Sequence, residues 1–260
     1  MTFLSRICPA GRALGLVLPL CLAAFPLSAA PLYCPETPAR VAVLGDSLAD
    51  GVWASLFRSW QKCDTVSLYR VTHVSDGLTV TSPEKWSERL ADSLGANTPA
   101  DFVVIQFGAN DIRPVRTTEG RAVFGTPEWQ AAYGARVTEL LSLLHAQAGA
   151  AFWLGLPVVG DTDLEPSYVD VSAIQAAVAG DAAAPMPTTF VDLHAATMFG
   201  TEGFVQSLEI DGHMTQLRAG DLIHFTEKGY DMVAATFTPD LEARLKARDA
   251  DAALNALALQ

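Results

Sequence analysis

The sequence Arg40-Val41-Ala42-Val43-Leu44-Gly45-Asp46-Ser47 is a short apolar run that closes on a glycine and a serine. A continuous apolar run bounded by glycine is typical of a parallel strand that is buried on both faces. The residues from about 50 to 61 then have a helical pattern. A buried strand that passes through a tight turn into a helix is the repeating unit of α/β folds, so this stretch predicts a parallel sheet.

The same alternation continues along the chain. The run Asp101-Phe102-Val103-Val104-Ile105-Gln106-Phe107 is the clearest strand, and Gly108 ends it. Thr126 and Pro127 predict the start of a long helix, because threonine is a good N-cap and proline fits the first helical turn. The predicted strands are 40–45, 64–71, 101–107, 150–156 and 188–193, the predicted helices are 50–61, 83–94, 126–144, 167–180 and 226–248, and 113–125 is a polar loop. This pattern predicts a mostly parallel sheet with helices on both faces, in three layers α/β/α.

The first 30 residues have the layout of a secretory signal peptide. Arg6 and Arg12 supply a positive start, and an apolar run follows that ends in Leu27-Ser28-Ala29-Ala30. An uncleaved membrane anchor is the alternative, but the run is short and contains two prolines. We therefore expect an exported protein, periplasmic or secreted, with cleavage near Ala30 and no stable membrane span in the mature chain.

Residues 31–260 have the composition of one folded domain. The whole chain is 50% apolar and 18% charged, which predicts a sizeable core rather than disorder. No repeat divides it, so we expect a core at about 39–237 and a C-terminal helical tail at 238–260. Removing the first 30 residues removes two arginines and no acid, so the formal charge changes from −12 to −14. An acidic surface repels phosphate backbones, which argues against nucleic acid as a partner. The oligomeric state stays open.

Two of the four cysteines remain after the signal region, Cys34 and Cys63. An even count in an oxidising compartment predicts a disulfide between them, and two buried free thiols are the alternative. No CxxC motif and no Cys/His cluster indicates a metal site.

Two short motifs follow predicted strands. In Gly45-Asp46-Ser47-Leu48 the serine stands at a strand-to-helix turn, where its hydroxyl is exposed and its N–H lies at a helix N-terminus, as a nucleophile requires. Taken alone, this serine is equally a helix N-cap. In Gly108-Ala109-Asn110-Asp111 the asparagine amide is a neutral donor suited to an oxyanion, although these residue types also form ordinary turns.

A third motif, Asp221-Leu222-Ile223-His224, places an acid three residues before a histidine. A carboxylate on the second ring nitrogen fixes the tautomer and stabilises the imidazolium, as a general base requires. The alternative is a structural histidine with a nearby acid. His194 and His213 also have acids two residues before them, whereas His73 and His145 have none so near and are interpreted as structural.

Taken together, the three motifs resemble the blocks of the SGNH (GDSL-like) hydrolase superfamily over about residues 39–237. Two stretches are similar to an exported bacterial subfamily formerly of unknown function: the run Glu128-Trp129-Gln130-Ala131-Ala132-Tyr133, and the stretch from Leu217-Arg218 through His224-Phe225-Thr226 to Gly229-Tyr230. One departure is Leu222, where that subfamily more often has glycine. The resemblance implies a flavodoxin-like fold with a five-stranded parallel sheet and no metal or organic cofactor.

The resemblance also implies roles for individual residues. Ser47 would be the nucleophile, His224 the base and Asp221 the residue that orients His224. The oxyanion would be held by the N–H groups of Ser47 and Gly77 and by the Asn110 side chain.

The expected activity is that of a serine esterase that hydrolyses or transfers small acyl groups, acetyl above all, on an envelope or extracellular glycan. Export and the resemblance to carbohydrate esterases favour this substrate. A lipase or thioesterase of the same superfamily, or a non-catalytic glycan-binding or assembly protein on the same fold, are the alternatives.

Overall fold

The computed structural model describes residues 31–95 and 98–258, so the expected signal peptide lies outside the described residues. In chain order the elements are β1 (Ala39–Gly45), α1 (Ser47–Ser59), β2 (Val66–Thr72), α2 (Pro83–Leu94), β3 (Ala100–Gln106), β4 (Val115–Thr117), β5 (Gly120–Ala122), α3 (Pro127–His145), β6 (Ala148–Leu154), α4 (Glu165–Ala179), β7 (Thr188–Val191), α5 (Leu193–Ala196), β8 (Ser207–Ile210), β9 (His213–Gln216), α6 (Glu227–Ala234) and α7 (Thr238–Ala258).

The central sheet has five parallel strands in the order β2-β1-β3-β6-β7. The chain leaves β1 in one direction to form β2 and returns on its other side to form β3, so the strand order reverses between β1 and β3. Ligands of open α/β sheets bind at the carboxyl ends of the strands beside such a switch point. The predicted α/β/α fold is confirmed, and it is the flavodoxin-like strand order.

Apolar side chains fill both faces of the sheet because the buried strands carry them on alternate sides. One layer packs beneath α2, α3 and α4 around Trp86, Trp129 and Trp153. The other packs beneath α1, α6 and α7 around Leu56 and Phe237. Helices therefore cover the sheet on both sides and leave the strand ends as the place where polar side chains gather.

Side-chain caps fix the starts of three helices. Ser82, Thr126 and Thr226 each accept a hydrogen bond from the backbone N–H three residues later. Proline follows directly in the first two cases, where its fixed φ suits the first helical residue. The predicted helix starts at 83 and at 126 are correct for this reason.

One prediction about a loop was wrong. Residues 113–125 contain the hairpin β4–β5 instead of a continuous polar loop. A second hairpin, β8–β9, was not predicted, and Asp211 and Gly212 form its two-residue turn, both with positive φ. An Asp-Gly pair is the standard signal for such a turn, so the sequence contained the information.

The last predicted helix is in fact two. Helix α6 ends at Ala234 and α7 begins at Thr238, with Phe237 turned into the core between them. Pro239 explains the break, because it cannot donate to the carbonyl four residues earlier and its ring blocks a continuous helix. Helix α7 was expected to be a tail beyond the core, yet its Leu241 is completely buried.

The N-terminal segment is fastened to the rest of the domain at two places. Cys34 and Cys63 form the predicted disulfide, which joins this segment to the end of α1. The Asp249 carboxylate on α7 accepts hydrogen bonds from the Tyr33 hydroxyl and from the backbone N–H groups of Glu36 and Thr37. Of the helices in the described part of the chain, none is long and apolar enough to cross a bilayer.

Candidate active site

The candidate residues meet at the carboxyl edge of the sheet. Gly45, the last residue of β1, is paired with Thr72 at the end of β2 and with Gln106 at the end of β3. A Cβ at Gly45 would lie 1.9 Å from the Gln106 carbonyl oxygen, so only glycine fits between the strands here. The segments after β1, β2 and β3 therefore leave the sheet side by side.

Ser47 is the first residue of α1, and the cap is its neighbour. The Asp46 carboxylate accepts a hydrogen bond from the Leu48 N–H at 2.9 Å and so occupies the N-cap position. The possibility that Ser47 serves as the cap is thereby removed. Its hydroxyl instead lies 2.7 Å from Nε2 of His224.

Asp221 holds the other side of the His224 ring. Its Oδ2 atom lies 2.6 Å from Nδ1, and its Oδ1 atom accepts the backbone N–H groups of Ile223 and His224 at 3.0 and 2.9 Å. Burial raises the pKa of Asp221, but the bonds from the ring and from these N–H groups outweigh burial and hold the pKa below its ordinary value. Asp221 is therefore ionised and accepts a hydrogen bond from the protonated Nδ1 of His224. The unprotonated Nε2 can then accept a hydrogen bond from the Ser47 hydroxyl.

The turn between these residues requires an unusual backbone. Leu222 has a φ of 62°, in the left-handed region that favours glycine. The subfamily that the sequence resembles more often has glycine at this position. Leu222 differs from that pattern in residue type but adopts the left-handed backbone conformation that glycine favours. The Leu222 carbonyl accepts a hydrogen bond from the Gly160 N–H at 3.0 Å, which ties the turn to the segment after β6.

Asn110 and Gly77 both contact Asp76 in the segment after β2. The Asn110 amide donates to the Asp76 carbonyl at 3.0 Å, and the Gly77 N–H donates to the Asp76 carboxylate at 2.8 Å. A side-chain amide has two N–H donors, so this bond leaves the second one of Asn110 for another acceptor. The single N–H of Gly77 is already engaged, so of the three predicted oxyanion donors Gly77 is less available than Asn110.

Asp46 and Asp111 are completely buried behind these segments. The sequence motifs contain both residues but indicated no role for either. Asp111 accepts hydrogen bonds from the backbone and hydroxyl of Thr79 and from the Tyr133 hydroxyl. Burial raises the pKa of both carboxyl groups, and that of Asp46 reaches about 7. Asp111 also leaves no space for a side chain at Gly77, where a Cβ would lie 2.4 Å from its Oδ1 atom.

The competing histidines lie elsewhere. Nε2 of His194 is 2.5 Å from the Glu165 carboxylate, and the second oxygen of Glu165 accepts the Val159 N–H. His213 is exposed on the hairpin β8–β9. His73 and His145, interpreted as structural, are exposed as well. Of the five, His224 alone is hydrogen-bonded to a serine within the described residues.

The fold is shared with known hydrolases. An acetylxylan esterase from Geobacillus stearothermophilus is 14% identical, with a TM-score of 0.53 over 79% of this chain and 94% of that one. An alpha/beta hydrolase enzyme from the metagenome of Lake Arreo, Spain, is 14% identical, with a TM-score of 0.52 over 77% and 94%. These similarities confirm the predicted fold.

The particular family is shown by sequence. Residues 40–240 match the family described as "Protein of unknown function (DUF459)", and the chain belongs to that family. No curated protein gives a match. The match covers the central sheet except for its first residue, Ala39, and both segments that carry Ser47 and His224.

Proposed function

We propose that this protein is a serine esterase that removes small acyl groups, acetyl above all, from an envelope or extracellular glycan. The observation that carries the proposal is the unbroken chain of hydrogen bonds from the Ser47 hydroxyl through the His224 ring to the Asp221 carboxylate. These three groups stand at the carboxyl edge of the sheet beside its switch point, where ligands of such folds bind.

The chemistry follows from the positions of the atoms. Oγ of Ser47 attacks the ester carbonyl carbon while Nε2 of His224 takes the hydroxyl proton, and Asp221 stabilises the imidazolium. The tetrahedral intermediate collapses when His224 gives this proton to the leaving alcohol, which leaves an acyl group on Ser47. Water then attacks the acyl carbon while His224 takes one of its protons. The bond between this carbon and Ser47 Oγ breaks as His224 gives that proton back to Oγ, and the carboxylic acid departs.

The oxyanion needs donors that are in place before the reaction. The N–H of Ser47 lies at the N-terminus of α1, where free backbone N–H groups and the helix dipole favour negative charge. The second N–H of Asn110 supplies a side-chain donor from the neighbouring segment. Gly77 could contribute its N–H only if the bond to the Asp76 carboxylate opened.

Two findings support the substrate class. The fold is shared with an acetylxylan esterase, and the disulfide is typical of proteins outside the reducing cytosol. The predicted signal peptide adds export to this description.

The decisive experiment compares the mature chain, from residue 31, with its Ser47→Ala and His224→Ala variants on p-nitrophenyl esters of increasing length. We expect acetate to be turned over fastest, with a loss of roughly 10³-fold or more in each folded variant. Release of acetate from an acetylated polysaccharide would then identify the glycan substrate. Turnover restricted to long-chain esters would instead indicate a lipase or thioesterase.

A non-catalytic glycan-binding protein predicts a different result. It would show no turnover, no covalent labelling by a fluorophosphonate, and glycan binding that survives Ser47→Ala. Labelling of the parent that is lost in Ser47→Ala would contradict that alternative.

A further inference from the structure

A completely buried arginine lies directly before the loop that carries Asp221 and His224. Arg218 has no exposed surface, and within residues 31–95 and 98–258 its guanidinium has no carboxylate in ion-pair contact. Burial lowers its pKa to about 10, which still leaves it charged at neutral pH. A buried cation without a paired anion is costly, so its retention calls for a compensating set of contacts.

Those contacts are two backbone carbonyls and two aromatic rings. Nη1 donates to the Ile223 carbonyl at 3.1 Å and Nη2 to the Val158 carbonyl at 2.7 Å. The guanidinium carbon lies 3.7 Å from the centre of the Phe225 ring and 5.2 Å from that of Phe204. The planar group therefore reaches in two directions while it rests on an aromatic face.

The first of these carbonyls belongs to the loop with the candidate base. Arg218 and Phe225 form an antiparallel bridge, and the Ala219 N–H donates to the His224 carbonyl at 2.8 Å, which closes residues 219–224 into a loop. The Ile223 carbonyl that Arg218 holds is part of the peptide unit whose nitrogen belongs to His224. Arg218 therefore fixes the orientation of the backbone at the imidazole itself.

The second carbonyl lies in the segment after β6. Val158 is held there by the Thr197 hydroxyl, which accepts its N–H, and its neighbour Val159 is held by Glu165. Gly160, two residues on, donates to the Leu222 carbonyl. The loop is thus attached twice to one well-anchored segment, once through a side chain and once through the backbone.

We propose that Arg218 is a positioning residue that fastens the Asp221–His224 loop to the segment after β6 and thereby sets the His224 ring at hydrogen-bond distance from Ser47. The proposal rests on the proposed function for its catalytic consequence. Its structural claim, the placement of the ring, is independent of that function.

The test uses Arg218→Met and Arg218→Lys, with Arg244→Met as the matched control. Methionine keeps much of the alkyl volume but has no donor, and lysine keeps the charge as one compact group that cannot serve two carbonyls as a planar fork does. Arg244 also lies over an aromatic ring, that of Phe152, and donates to Thr189, but it contacts no residue of the loop.

Two readouts separate positioning from general stability. On p-nitrophenyl acetate at a temperature where each variant is folded, Arg218→Met should lose about 10²-fold in kcat with KM changed by less than about three-fold, since a displaced catalytic group slows the chemical step. Arg218→Lys should recover part of this loss, and Arg244→Met should stay near the parent. The downfield proton resonance of the His224 Nδ1–H, bonded to Asp221, should broaden or vanish in Arg218→Met, broaden to a smaller extent in Arg218→Lys, and stay unchanged in Arg244→Met.

Other results would overturn the proposal. They are a kcat of folded Arg218→Met within about three-fold of the parent, an equal loss in Arg244→Met, or an unchanged His224 resonance. If Arg218→Met does not fold, the same comparisons between Arg218→Lys and the parent decide. If the parent itself has no turnover, the proposed function fails, and the resonance still tests whether Arg218 places the ring.

Discussion

The Ser47 hydroxyl and the His224 ring come from segments 177 residues apart in the sequence, yet Oγ and Nε2 lie at a hydrogen-bond distance of 2.7 Å. The two segments approach because α1 packs against α6, the helix that follows the His224 loop. Gly51 on α1 lies against the Tyr230 ring on α6, where a Cβ would be 1.9 Å from the ring. The distance between the two side chains therefore depends on this close helix contact.

Gly51→Ala is expected to separate the two helices. An added methyl group in a packed contact costs about 1–3 kcal/mol, so the free energy of unfolding should fall by that amount, with a loss of turnover as Ser47 moves from His224. Urea unfolding and esterase rates measure both effects. Tyr230→Leu in the same chain should relieve part of the loss, whereas Gly203→Ala, which has open space around it, should be neutral.

Asp221→Asn should abolish most activity without unfolding the chain. The amide oxygen still accepts the N–H groups of Ile223 and His224, but an amide favours the wrong histidine tautomer, and kcat should fall by about 10⁴-fold. Asp161→Asn is the matched control, because Asp161 accepts backbone N–H groups two and three residues on without facing a histidine. Near-parental kcat in Asp221→Asn would contradict the proposed triad.

Asn110→Ala should slow the acylation step. Removal of one oxyanion donor costs roughly 10²–10³-fold in kcat, with a much smaller effect on KM. Steady-state kinetics on p-nitrophenyl acetate and thermal unfolding measure the two contributions. Asn255→Ala on the exposed end of α7 serves as the control, and an equal kcat in both variants would exclude Asn110 from the oxyanion site.

Asp46 predicts a distinctive pH dependence of stability. The Asp46 carboxyl has a pKa of about 7 in the folded chain and of 3.8 in the unfolded chain. Between these two pH values the folded state therefore binds more protons than the unfolded state. Stability from this group is therefore fully present below about pH 4 and is lost as the pH rises to about 7. Asp46→Asn cannot ionise and should gain stability relative to the parent across this window, by roughly 4 kcal/mol in total.

Urea unfolding of both chains at pH 4.5, 6 and 8 measures this gain. Asp92→Asn, at an exposed position on α2, should show no comparable trend. A difference between Asp46→Asn and the parent that does not change with pH would show that Asp46 is ionised in the folded protein.

The disulfide should contribute measurably to stability. Closing a loop of 29 residues restricts the unfolded chain, and its loss costs about 3–4 kcal/mol in the chain-entropy description. Replacing both Cys34 and Cys63 by serine should lower Tm by about 6–16 °C. Reductant should produce the same decrease in the parent and none in the double variant, and a parent insensitive to full reduction would contradict the prediction.

The features that follow from local pattern were predictable. The β3 run and the Ser82 and Thr126 caps specify their elements through burial and hydrogen bonds within a few residues. The hairpins were missed because short exposed strands have no apolar periodicity, although the turn at Asp211 had its own signal. Pro239 likewise marked the break between α6 and α7.

Some residues of the candidate site could likewise be predicted from the sequence, and others could not. Ser47, Asp221 and His224 are recognisable because their types and spacing serve a known chemistry. The burial of Asp46 and Asp111 could not be predicted, because the sequence does not show whether an aspartate in such a motif faces solvent or the core. The burial and the contacts of Arg218 could not be predicted either, because its hydrogen-bond partners are backbone carbonyls, which leave no pattern of side chains in the sequence.

The attachment of the N-terminal segment also determines how far Ser47 lies from the start of the described chain. Strand β1 runs from this segment to the turn before Ser47, so its seven residues separate the two by roughly 20 Å, on opposite rims of the sheet. A bead, tether or fusion partner attached through residue 31 would therefore leave Ser47 facing the medium, and the immobilised protein should meet bulky polymers as freely as the dissolved protein does.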